Sequence, residues 1–206
     1  MTKPQTQTRG IKWLLFGDYS EYARGLIPIF AFCCFLFGFS LGMGYLLGET
    51  IPTSAMNDLL NSFPDIQNMS LLELFGFIAA NNAFKSLLFM LGGLLGGVFP
   101  LFFIIFNGFF IGWIANSLGS IYGVGYVVVG LTPHGIIEIP AIILAMSMGM
   151  SLGYTAINSL RGKGSIMNEA RPALGLFITR VVPMLIFAAA IEVVITPLIM
   201  AIFGYV

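Results

Sequence analysis

The chain has 206 residues, of which 58% are hydrophobic and only 9% charged. A soluble domain carries about 25% charged residues, so this composition excludes an ordinary soluble enzyme or binding module. Nine basic residues balance nine acidic ones, which leaves no surplus positive charge for nucleic-acid binding.

The start is polar and basic, with Lys3, Arg9, Lys12 and Arg24, and Trp13, Tyr19 and Tyr22 are spaced for a headgroup belt. Residues 1–24 are therefore expected to form a cytoplasmic or interfacial segment, and 25–206 a single transmembrane domain. The run that follows is too long for a cleaved signal and is expected to be an uncleaved anchor. It gives a first span at about 25–48, with small residues at Gly38 and Gly42 and at Gly44 and Gly48. Cys33 and Cys34 are adjacent within it and are expected to fill space.

Residues 49–84 form the one sizeable polar loop, with four acidic residues and no Lys or Arg. Ser70 and Glu73 are spaced as a capping box, which predicts a short helix from Leu71 to about Ala80 on the membrane surface or over the bundle. From Ser86 to Leu160 the only formal charge is Glu138. The length of that stretch allows three crossings of a roughly 30 Å hydrocarbon layer, expected at about 85–106, 110–131 and 135–158. The expected breaks lie between Asn107 and Gly123, where Asn, Gly and Ser collect, and at the Thr132-Pro133 step. The middle span could be broken or re-entrant. Gly92 and Gly96, and the ladder Ala141, Ala145, Gly149, Gly153, have the four-residue spacing of close helix contacts. A short basic loop at 161–171 leads to a last span at about 175–203, which holds Glu192 and then Thr196-Pro197.

The basic segments flank an acidic loop, so positive-inside counting puts the N-terminus inside, residues 49–84 outside and 161–171 inside. Three crossings between those loops give five in all. The predicted fold class is an all-α polytopic transmembrane bundle with broken or kinked helices, in the cell membrane and surrounded by lipid.

The chemistry concentrates in Leu131–Leu144, LTPHGIIEIPAIIL. His134 is the only histidine in the chain, and Glu138 follows it by one helical turn. A charge at membrane depth costs several kcal/mol and marks a functional site by default. The pair leaves three readings open: a structural hydrogen bond, a proton or ion relay, and a metal site. A zinc-protease helix would read H-E-x-x-H, and no second ligand motif is present, so no metal set and no cofactor are assigned. No catalytic set is assigned either. Asn107 reads as a helix break or as the lining of a polar cavity. Glu192 reads as a hydrogen-bonded packing residue or as a member of a polar core shared with His134, Glu138 and either Asn82 or Asn107. Gly135 leaves room for close approach.

PHGIIEIPA, from Pro133 through Glu138 and Pro140 to Ala141, resembles the P-H-G-x-x-E-x-P-A signature of the stage II sporulation protein M family of integral membrane proteins. NNAFKSL at Asn81–Leu87, with Asn82, NGFFIG at Asn107–Gly112 and IEVVITPLI at Ile191–Ile199 follow in the family's order. The resemblance runs from about Asn81 to the C-terminus. It implies a non-enzymatic membrane scaffold or assembly factor that contacts other membrane or envelope proteins. The residues themselves leave room for a small-solute or ion transporter or channel using His134, Glu138 and Glu192. No inverted repeat is visible, although a homodimer could enclose a pathway.

Overall fold

Apolar runs of this length can satisfy their backbone in lipid only by closing hydrogen bonds within one helix. The computed structural model describes residues 14, 17–51 and 68–205, and among them there are helices and no strands. Helix α1 runs Ser20–Leu47 and ends in a 3₁₀ turn, Gly48–Thr50. Helix α2 is Leu71–Gly92, α3 Val98–Tyr122 and α4 Val124–Leu160. A final rod carries α5 (Ile166–Leu176), α6 (Val182–Ala190) and α7 (Thr196–Ile202). Five helices, with α5–α7 counted as one, are long and apolar enough to cross a membrane.

The crossing number agrees with the sequence, but several boundaries differ. The capping box forms: Ser70 Oγ accepts from Glu73 N–H, and the Glu73 carboxylate accepts from Ser70 N–H. The helix it starts does not stop near Ala80. No glycine pair or proline interrupts it before Gly92-Gly93, so it continues as a full-length α2. The expected span 85–106 is thus split between two helices. The turn that splits it is Gly93–Gly97, where Gly96 and Gly97 take φ of 77° and 80°. Gly96 is exposed in that turn, not a helix-packing residue.

Asn107 does not break its helix. Its side-chain amide donates to its own Phe103 carbonyl at 2.8 Å, and the helix continues to Tyr122. The second break falls at Gly123, the far end of the expected stretch, with φ of 87°. Thr132-Pro133 is no boundary, since both Pro133 and Pro140 lie inside α4. The first helix starts at Ser20, before the expected edge at residue 25. Tyr19 is buried, its ring packed where a Cβ on Gly175 would stand. Trp13 and residues 52–67 of the expected outer loop lie outside the described residues.

Small residues set the packing. Helix α1 lies against α3 through Gly44 and Gly48 on one side and Gly108 and Gly112 on the other. A Cβ on Gly48 would come within 2.9 Å of Asn116 Cβ, and one on Gly108 would strike Ser40 and the Phe37 carbonyl. Gly38 and Gly42 meet nothing within 4 Å. Helix α4 touches every other helix. Its Ala141 and Ala145 are fully buried, and Gly149 and Gly153 pack on the end of α2 and the Gly93–Gly97 turn. Large side chains such as Phe35, Phe39, Phe102 and Leu198 point outward, as a lipid-facing surface requires.

The last rod is irregular twice. Val182 N–H bonds to the Phe177 carbonyl, and Thr196 N–H to that of Ile191, each closing a π-turn. A proline follows each turn, Pro183 and Pro197. Proline lacks the N–H that would continue the ladder, and the wider turn pairs the backbone around the gap.

Two outcomes follow. With Cys33 and Cys34 replaced by Ser, single cysteines at Ser54 and Ser165 should label from opposite sides of the membrane, Ser54 from outside. Labelling from one side contradicts the orientation. A Cβ on Gly149 would sit 3.0 Å from Met90 Cα and 3.1 Å from Pro100 Cγ. Gly149→Leu should therefore cost at least about 1–3 kcal/mol in detergent unfolding. Gly42→Leu should leave unfolding unchanged, and equal losses at both sites would contradict the packing.

Candidate functional site

An α-helix brings positions four apart to one face, so α4 presents His134 and Glu138 together. The π-turn Ile191–Ile195 inserts one extra residue into the last rod, and Glu192 sits within it. Glu192 lines the same cavity as His134 and Glu138 of α4. One ligand atom each from His134, Glu138 and Glu192 lie within 4.8 Å of one another. All three residues are half-buried.

Helix α2 supplies the fourth member. Asn82 Nδ2 donates to Glu138 Oε1 at 2.9 Å, and Asn81 Nδ2 lies 3.5 Å from Asn82 Oδ1. The group faces a cavity of about 400 Å³, lined also by Asn107 on α3. The cavity runs towards the start of α2, where Leu74, Phe77 and Ile78 form its wall. That volume is ample for several waters, and the polar lining gives them partners.

The electrostatics are unbalanced. Among the described residues no Lys or Arg lines the cavity. Lys85, the nearest cation in sequence on α2, is exposed. His134 Nδ1 is buried and has no hydrogen-bond partner among the described residues. Two carboxylates this close in an apolar shell repel strongly unless a proton or another cation lies between them.

The residues singled out in the sequence thus fall into three groups. His134, Glu138, Glu192 and Asn82 come together. Asn107 and Gly135 line the same cavity without bonding to the carboxylates. Gly108, Ala141, Ala145, Gly149 and Gly153 serve packing, and Gly92 packs beside Phe99. Pro133 and Pro140 are half-buried in α4, and Pro197 is exposed. Thr196 is buried with an unpartnered hydroxyl. Gly135 is not a point of close approach: a Cβ there would make only ordinary contact with Ile139 Cδ1 at 3.6 Å. A second polar cluster was missed. Ser151 donates to Glu169, with the Tyr22 hydroxyl close by. Its members come from three helices and share no local spacing.

The family model described as Stage II sporulation protein M matches residues 31–197. No curated protein and no solved structure matches the chain.

The Asn82–Glu138 bond separates two substitutions. Glu138→Gln keeps an oxygen for the Asn82 donor and should hold stability within about 1 kcal/mol of wild type. Asn82→Ala leaves Glu138 without its donor and should cost about 1–3 kcal/mol in detergent unfolding. The reverse order would show that the bond does not hold the site.

Proposed function

The chain belongs to the stage II sporulation protein M family, and from that premise we propose that it is a multi-pass membrane protein whose working part is the cavity between α2, α3, α4 and the last rod. It acts without covalent chemistry, as a carrier or channel component for a small cation. One observation carries this reading: His134, Glu138 and Glu192 converge on a largely apolar cavity that no Lys or Arg among the described residues lines. A purely structural polar pair would need neither the second carboxylate nor the space beside it. Intramembrane carboxylates that face a wet cavity mark ion and proton paths. The broken backbone at Ile191–Ile195 suits the same role, since π-turns gather at functional sites.

The scaffold reading keeps support from a different place. A Cβ on Gly38 or Gly42 of α1 would meet nothing within 4 Å among the described residues, whereas Gly44 and Gly48 on the same helix are filled by α3. A helix from a partner envelope protein would fit such a face. We place the protein in the cell membrane on either reading.

Flux in proteoliposomes tests the first reading. A reporter dye inside the vesicles should register proton or divalent-cation entry with wild-type protein. Glu138→Gln should reduce it to the level of empty vesicles. No flux above empty vesicles, together with a stable partner recovered by crosslinking in native membranes, would favour the scaffold.

A further inference from the structure

We infer that His134, Glu138 and Glu192 form a binding site for one divalent transition-metal ion of the zinc, cobalt and manganese class. The inference deepens the reading of this cavity as the working part of the protein, and it rests on that reading for its physiological meaning.

The donor set decides the ligand class. One imidazole nitrogen and two carboxylate oxygens are the mixed N/O donors that suit zinc, iron, cobalt and manganese. Calcium and magnesium prefer oxygen alone. Three protein donors leave a position open, and the cavity beside them admits water or an exchanging ligand. Sites with an open position are those that release or use their metal, whereas closed four-ligand sites hold it for structure.

The geometry is near what such an ion needs. A tetrahedral ion with bonds of about 2.1 Å puts its donors roughly 3.4 Å apart. The donors here all lie within 4.8 Å of one another. The widest donor pair would therefore have to close by at most about 1.4 Å. A second shell is already built. Asn82 on α2 donates to Glu138 Oε1 at 2.9 Å and so fixes the orientation of one carboxylate. Ligating carboxylates are commonly held in this way.

Charge supplies an independent argument. With both carboxylates ionised and the imidazole neutral, the set would carry two negative charges, and no Lys or Arg among the described residues lines the cavity. A divalent ion cancels that charge at one point. Monovalent ions or protons would have to enter in pairs to do the same. His134 Nδ1, buried and without a hydrogen bond, shows that the ring's polar demands are not met by the protein alone.

The experiment uses full-length protein in nanodiscs, stripped with a chelator and then exposed to Zn²⁺ or Co²⁺. After gel filtration, elemental analysis should find one metal per chain, and bound Co²⁺ should give visible d–d absorption. Melting temperature should rise with added Zn²⁺. Glu138→Gln, Glu192→Gln and His134→Gln should each weaken binding by at least about tenfold, judged on variants that elute and melt normally without metal. Glu21→Gln, at the exposed start of α1, should bind as wild type does. Folded wild-type protein that retains no metal overturns the inference, as does equal retention by the triple variant. Proton or monovalent-cation flux with no metal binding overturns the metal site alone and leaves the cation-handling reading standing. Metal binding that needs the three residues, with no flux of any cation, supports the site and removes the carrier reading.

Discussion

Two carboxylates at membrane depth without a protein cation are the constraint on which this structure turns. A single buried charge in an apolar bundle is already costly. Glu138 and Glu192 come from different helices, yet the fold brings them to the same point as the only histidine. That arrangement works against stability unless something positive joins them. The surrounding architecture keeps them together. Asn82 ties α2 to α4 at this level, and Glu192 sits within a π-turn of the last rod. Close glycine contacts between α1 and α3, and between α4 and the end of α2, fix the helices that frame the cavity.

Division of labour along α4 explains much of the sequence. Its first half carries the chemistry and two prolines, and its second half carries the ladder Ala141, Ala145, Gly149 and Gly153. The ladder lets the turn Gly93–Gly97 come close enough that Gly153 meets backbone. A rigid contact at one end of α4 leaves the other end free to be shaped around a cavity. At 37 residues the helix is about 55 Å long, well beyond a hydrocarbon layer of about 30 Å, so it tilts or projects.

The crossing number and the site's chemistry were legible because they depend on composition and on spacing within one helix. His134 and Glu138 announce themselves by charge in an apolar run. Helix ends were less legible, because glycine has two uses that look alike in sequence. Gly96 and Gly97 take left-handed backbone in a turn, whereas Gly108 and Gly112 lie within a helix and admit a neighbour. Asn107 reads as a breaker only until its side chain is seen to bond back to Phe103. Glu192 lies 54 positions beyond Glu138, so no local pattern could join them. Only the cost of leaving a carboxylate in lipid joins them in the sequence, by favouring one shared polar core.

The central claim is that Glu138 and Glu192 share one site, and a double-mutant cycle tests it directly. Unfolding free energies in one detergent are measured for wild type, Glu138→Gln, Glu192→Gln and the double variant. A shared site predicts that the two changes are non-additive by at least about 1 kcal/mol, since residues in contact couple. Additivity within about 0.3–0.5 kcal/mol would place the two carboxylates in separate environments and contradict the account.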